Sequence, residues 1–193
     1  SFAQVFADYV DGQVIRVGDI DGDGDLDILT SAYGGYIYAI ENGSFRNGTF
    51  GSATFAGSSY LGSAGYAFEL GDADGDGDLD IVGSERVLIN DGSGSFLAGA
   101  FAPSGIYAYD LELGDIDGDG DLDAVVAGRP ENGERVGGAF WLNDGNGTFT
   151  ATNQEISFSG NGYGGTFSGY DVELVDVDGD GDLDAVFVAS TYT

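Results

Sequence analysis

The stretch Asp19-Ile20-Asp21-Gly22-Asp23-Gly24-Asp25-Leu26-Asp27 decides how this chain is organised. The same pattern, Asp-x-Asp-Gly-Asp-Gly-Asp-Leu-Asp, recurs at residues 72–80, 115–123 and 176–184. With five aspartates in each copy, the four copies hold 20 of the 34 acidic residues in a chain of 193 residues and net charge −29. Repetition of this kind predicts an array of equivalent structural units. The negative charge is therefore concentrated in four local sites.

Each acidic stretch has the spacing of a calcium loop rather than of a solvated acidic segment. Five carboxylates in nine residues repel one another unless a cation lies among them, and Ca²⁺ prefers six to eight oxygen ligands. Glycine at position 6 permits the sharp turn that lets alternating side chains converge. We expect carboxylate ligands from positions 1, 3 and 5, a backbone carbonyl from position 7 and a bidentate carboxylate from position 9. An EF-hand is excluded, because position 12 is Thr30, Gly83, Val126 or Phe187 instead of Glu.

The four loops are thus predicted to bind four calcium ions. The candidate ligands are Asp19, Asp21, Asp23, Asp25 and Asp27 in loop 1; Asp72, Asp74, Asp76, Asp78 and Asp80 in loop 2; Asp115, Asp117, Asp119, Asp121 and Asp123 in loop 3; and Asp176, Asp178, Asp180, Asp182 and Asp184 in loop 4.

Strand-like segments surround each loop. Apolar residues alternate before the loops, at 14–17, 67–70, 110–113 and 171–174, and short apolar runs follow at 28–29, 81–82, 124–127 and 185–188. A third segment follows in the first three units, and Phe50, Phe96 or Phe149 opens a fourth after a turn rich in Asn, Asp and Gly. Repeated units of four short strands predict an all-β fold. We expect residues 1–193 to form one small four-bladed β-propeller, with a calcium loop between the first and second strand of each blade.

At this level of detail the chain resembles the integrin-type FG-GAP or VCBS repeat family. The resemblance rests on Gly18–Asp27 and its copies and on Leu142–Phe149, and it covers nearly the whole chain. It implies an extracellular or cell-surface propeller with calcium in the blade loops. Familiar members have about seven blades, whereas this chain has motifs for four. The family spans adhesion, lectin-like binding and parts of secreted enzymes, so the resemblance predicts fold better than function.

The last unit is incomplete. Residues 1–10 look like an outer strand that closes the last blade, and no third strand follows residues 185–188. Two explanations stay open at this point: the missing strand lies beyond Thr193 in a longer chain, or another chain completes the sheet edge.

Two further sets of residues have competing interpretations. Four charged residues each lie three positions before a loop: Arg16, Glu69, Glu112 and Glu173. They either line a narrow axial channel or form the solvent-exposed face of a strand. Asp110 and Asp171 would lie one layer further out. Tyrosines at 33, 36, 60, 66, 107, 109, 163 and 170 lie near glycines and either bind sugars or a protein partner, or pack between blades.

Composition narrows the function. Without His, Cys or Lys, the common nucleophilic triads, Schiff bases and usual zinc sites are not available. The net charge disfavours nucleic acid as a partner, and no apolar run is long enough for a membrane span. We therefore expect a non-catalytic, self-assembling structural or adhesive protein, a homo-oligomer or homopolymer in a surface layer, fibre or tube. A lectin-like carbohydrate-binding module is the alternative, with carbohydrate or a cell-surface protein as partner.

Overall fold

The computed structural model describes residues 14–40, 64–99, 106–130, 137–156 and 166–192. Within these ranges the chain forms thirteen strands and no helix, which confirms the all-β class. The strands are β1 Ile15–Gly18, β2 Asp27–Ala32, β3 Tyr36–Ile40, β4 Phe68–Gly71, β5 Asp80–Gly83, β6 Val87–Asn90, β7 Phe96–Ala98, β8 Ile106–Gly114, β9 Asp123–Pro130, β10 Gly138–Asn143, β11 Phe149–Glu155, β12 Thr166–Val175 and β13 Asp184–Tyr192. A helix of the length and apolarity that a bilayer crossing needs is not found in these ranges.

The strands form four antiparallel sheets in which each strand pairs with the next along the chain. Sheet 1 contains β1–β3, sheet 2 β4–β7, sheet 3 β8–β11 and sheet 4 β12–β13. Every acidic loop connects the first and second strand of its sheet, as predicted. Phe96 and Phe149 open the fourth strands of sheets 2 and 3. The predicted strands at Phe50 and at residues 1–10 lie outside the described residues.

The sheets pack face to face in chain order, and clusters of buried apolar side chains fill the interfaces between them. Phe68 of sheet 2 packs among Leu29 of sheet 1 and Ile81 of its own sheet, and all three are fully buried. Equivalent clusters join sheet 2 to sheet 3 around Trp141 and sheet 3 to sheet 4 around Val172. Burial of each large apolar side chain contributes about 1.5–3 kcal/mol. The core is therefore a series of interfaces between neighbouring units.

Two buried asparagines tie neighbouring loops together. Asn90 Nδ2 donates to the carbonyl of Leu79 in its own loop (3.1 Å) and to that of Ile20 in the preceding loop (2.7 Å). Asn143 Nδ2 makes the same pair of hydrogen bonds to Leu122 (3.1 Å) and Ala73 (2.7 Å). Each side chain thus joins the acidic loop of its own unit to that of the unit before it.

The first and last sheets leave apolar faces exposed. Ile15 and Val17 on β1 are 65% and 55% exposed, although the counterparts of Ile15 in the other sheets, Phe68, Leu111 and Val172, are at most 1% exposed at the internal interfaces. On the other side of sheet 4, Val186 and Val188 are 47% and 59% exposed, while their counterparts in sheet 3, Val125 and Ala127, are fully buried. These two surfaces, here called the end faces, are the two halves of the interface that recurs inside the chain. A closed ring is not seen among the described strands, so the four-bladed propeller stays a prediction.

We expect Asn143→Ala to destabilise the protein by about 1–3 kcal/mol, because two side-chain hydrogen bonds that join loop 3 to loop 2 are lost. Asn146→Ala is the matched control: Asn146 lies exposed in the neighbouring turn and donates to Asp144, so its loss is expected to cost at most about 0.5 kcal/mol. Denaturant unfolding of both variants in calcium measures the difference. Equal midpoints would contradict the role assigned to Asn143.

Candidate metal sites

Three of the five carboxylates in each loop converge on a common point. Ligand oxygens from positions 1, 3 and 9 lie within 4.8 Å of one another in all four loops. The groups are Asp19, Asp21 and Asp27; Asp72, Asp74 and Asp80; Asp115, Asp117 and Asp123; and Asp176, Asp178 and Asp184. An all-oxygen, all-anionic donor set of this kind fits a hard divalent cation such as Ca²⁺.

The loop backbone is folded around the first aspartate. Asp19 accepts hydrogen bonds from the amides of Gly22 (2.9 Å) and Gly24 (3.0 Å), and the other three loops repeat this pattern. Gly24 at position 6 has φ of +91°, and its equivalents have φ between +98° and +101°. Residues with a Cβ rarely adopt this conformation. The prediction that position 6 needs glycine for the sharp turn is confirmed.

The ninth aspartate is buried and organises the base of the loop. Asp80 has no exposed surface, and its two oxygens accept hydrogen bonds from the amides of Ala73 and Asn90, both at 2.8 Å. Asp123 makes the same contacts with the amides of Ile116 and Asn143. Burial raises the pKa of Asp80 above its usual value. Because each carboxylate oxygen has a second lone pair, both oxygens of Asp80 stay competent to bind a cation.

Positions 5 and 7 lie outside the convergent groups. The position 5 carboxylate of Asp23 accepts a hydrogen bond from the amide of Asp25 at 2.9 Å. The position 7 carboxylate of Asp78 lies against Gly92 in the hairpin turn of its own unit, so closely that a side chain at Gly92 would meet it. That direction agrees with a position 7 ligand supplied by the backbone carbonyl. Carboxylate ligation by position 5 stays a prediction.

Loop 4 differs from the other three. Asp27, Asp80 and Asp123 are at most 1% exposed, whereas the equivalent Asp184 is exposed. The hydrogen bond from the Val177 amide to Asp184 is kept (3.0 Å). A third strand, which delivers the second amide donor in units 2 and 3, is not among the described strands of sheet 4. The loop 4 site is therefore less enclosed than the others.

The sequence predicted Asn90 and Asn143 only as residues of hairpin turns. It did not indicate that they contact the acidic loops. Their backbone amides hydrogen-bond the ninth aspartate of their own loop, and their side chains reach the preceding loop. The turn that follows Asn143 also contacts that preceding loop, since the Gly147 amide donates to the Ala73 carbonyl at 2.9 Å. The only sequence signal is an Asn at the end of the third strand in both units.

The four residues three positions before the loops are neighbours in space. The Arg16 side chain forms an ion pair with Glu69. Burial, followed by the negative charges of Glu69, Asp110 and Glu173, raises the pKa of Glu112 to about 7, and the positive charge of Arg16 opposes this rise. These residues, with Asp110, are here called the axial cluster. Their proximity favours the interpretation in which they line a common space over that of separate strand faces.

This chain is similar to a known repeat family in sequence and to solved structures in fold. The profile of the FG-GAP-like repeat family matches residues 19–83 and 115–187. Curated protein sequences contain no significant match. Among solved structures, the chain is similar to an Agrocybe aegerita lectin that recognises non-reducing terminal N-acetylglucosamine, with 24% identity and a TM-score of 0.54 over 89% of this chain and 45% of the lectin. The biofilm matrix protein Bap1 of V. cholerae is more distant, with 18% identity and a TM-score of 0.43 over 72% of this chain and 20% of Bap1. This chain thus spans less than half of either protein, and the likeness to the lectin concerns the fold alone.

We expect Asp80→Asn to abolish calcium binding at loop 2, because the amide removes one anionic ligand and replaces an acceptor oxygen with a donor. Asp78→Asn is the matched control in the same loop, and it should leave binding close to wild type because position 7 is expected to use its carbonyl. Asp74→Asn tests the same site without disturbing the buried base of the loop. Calorimetric calcium titrations compare the variants. Equal losses for Asp78→Asn and Asp74→Asn would contradict the assignment.

A second expectation concerns pH. The pKa of Glu112 is about 7 in the folded chain and 4.5 unfolded, so the folded state binds more protons between these values and stability falls as pH rises through them. Glu112→Gln removes this penalty, and its melting temperature relative to wild type should rise between about pH 5 and pH 8. Glu85→Gln, at an exposed position, is the control. A Glu112→Gln offset that does not change with pH would be inconsistent with a raised pKa.

Proposed function

Because the chain belongs to the FG-GAP-like repeat family, we propose that it is a non-catalytic, calcium-binding protein of the cell exterior that assembles with itself as a structural or adhesive component. Four convergent groups of aspartates support calcium as the cofactor. The extracellular medium supplies calcium at the level that modules of modest affinity require. The contact surfaces lie at the ends of the stack of sheets, and a surface layer, fibre or tube is the product.

The exposed end faces carry this proposal. Ile15 at one end and Val186 at the other occupy positions whose equivalents are buried at the internal interfaces, and the exposed Val17 and Val188 lie beside them. The face of sheet 1 and the face of sheet 4 are complementary to each other, not to themselves. Contact between different copies is therefore head-to-tail, which generates a ring or an open filament.

The edge of sheet 4 offers a second surface for contact between copies. In sheets 2 and 3 a third strand pairs with the second, whereas β13 has no such partner among the described strands. An unpaired strand edge is a template for addition of another chain. A four-bladed propeller, each blade with its calcium loop between the first and second strand, would require the end faces to meet within one chain. That closure and a contact between copies exclude each other, and of the two our proposal is the contact between copies.

A lectin-like role is the second candidate function. Its support is a group of exposed tyrosines, Tyr33, Tyr107 and Tyr109 among them. The A. aegerita lectin shares the fold, and its sugar specificity belongs to that protein.

Calcium should convert the purified protein into particles larger than a monomer, and a chelator should disperse them. Val188→Asp is expected to remain monomeric in calcium, because it places a charge in the interface. Leu97→Asp is the control, since Leu97 is 73% exposed on the outer strand of sheet 2. Light scattering and electron microscopy of the three proteins test the proposal. A wild-type monomer in calcium, or Val188→Asp particles equal to wild type, would overturn it.

A further inference from the structure

A concave cavity of about 460 Å³ lies at the end of the sheets opposite the acidic loops. Its lining includes Tyr33, Tyr66, Tyr107, Tyr109 and Arg129, here called the tyrosine cup. Tyr107 is near the first residue of β8, whereas loop 3 follows the last residue of that strand. Tyr33 lies in the turn at the far end of β2, which begins at loop 1. The cup is thus separate from the metal sites.

All four units contribute to this aromatic surface. Tyr33 comes from unit 1, Tyr66 from unit 2, and Tyr107, Tyr109 and Arg129 from unit 3. Tyr170 of unit 4 stacks on Tyr109, with ring centroids 5.6 Å apart and an interplanar angle of 12°. Residues that are far apart in the chain therefore form one site.

The rings are held in place and yet are open to solvent. Tyr107 and Arg129 are direct cross-strand partners on β8 and β9, and Arg129 Cζ lies 4.8 Å from the centre of the Tyr107 ring. Tyr33, Tyr107 and Tyr109 are 77%, 48% and 44% exposed. Tyr109 uses one face of its ring against Tyr170, and all three rings keep a large part of their surface open to a ligand.

We propose that the tyrosine cup binds a neutral saccharide, which deepens the lectin-like candidate of the proposed function and rests on it. Phenol rings stack on the C–H faces of pyranose rings, while phenol hydroxyls and the Arg129 guanidinium hydrogen-bond sugar hydroxyls. The cavity falls within the range of about 300–1,000 Å³ typical of small-molecule sites. The net charge of −29, with Asp110 and Asp171 next to Tyr109 and Tyr170, disfavours an anionic sugar.

The test is calorimetric titration of the full chain in calcium with cellohexaose, maltohexaose and chitohexaose. At least one of these neutral oligosaccharides should bind, and Tyr109→Ala should weaken its association constant by about tenfold through loss of ring stacking. Tyr107→Phe keeps the ring and should retain most of the affinity, whereas Tyr107→Ala should not. Tyr36→Ala is the matched control, because Tyr36 is 42% exposed but is not among the residues that line the cup. Melting temperatures of all variants show whether they are folded.

Several results would overturn the inference. The first is that none of the three sugars binds. The second is that Tyr36→Ala and Tyr109→Ala lower the affinity equally. The third is that tetralysine binds and the sugars do not, which would indicate a cationic ligand. Light scattering of the same samples separates this test from that of self-assembly. Saccharide binding by a protein that stays monomeric would support the tyrosine cup and contradict the assembly proposal. Calcium-dependent particles without sugar binding would support assembly and contradict the tyrosine cup.

Discussion

A buried carboxylate at the ninth loop position is the constraint on which the rest of this structure depends. Asp80 and Asp123 are fully buried, and burial of a carboxylate is unfavourable unless hydrogen bonds and positive charge compensate it. Each accepts one amide from its own loop and one from the end of the third strand. Each also belongs to a group of three convergent carboxylates. The loop and the sheet therefore stabilise one another, and a cation bound at the three carboxylates would stabilise both.

The same chain of contacts connects neighbouring units. The residue whose amide holds the ninth aspartate, Asn90 or Asn143, also sends its side chain to the preceding loop. A cation that orders one loop thus also orders the interface with the next unit. Loop 4 lacks this support among the described residues, and its aspartates are exposed. The calcium binding and the assembly through the end of the molecule that we propose would be physically linked for this reason.

Different chemistry is found at the two ends of the sheets. Strand β8 runs from one kind of surface to the other. Tyr107 near its start lies in the tyrosine cup, Asp110 and Glu112 belong to the axial cluster, and loop 3 begins at Asp115 after its end. Aromatic and anionic surfaces are thus separated along one strand. A ligand at the tyrosine cup and cations at the loops need not compete, so a lectin-like role and a structural role are compatible in one molecule.

The sequence by itself determined the features that depend on near neighbours in the chain. Alternating apolar residues predicted the strands before and after each loop, Gly24 and its equivalents predicted the turn, and the alternation of aspartates predicted where oxygens converge. Tertiary structure alone decided the rest. The side chain of Asn143 meets Ala73, seventy positions away, and Tyr109 meets Tyr170 across two units, because packing of sheets brings together residues that no local spacing relates. Whether Val188 is exposed likewise depends on whether another sheet packs against sheet 4. The sequence around Val188 does not decide this, because it resembles the sequence around the buried counterparts.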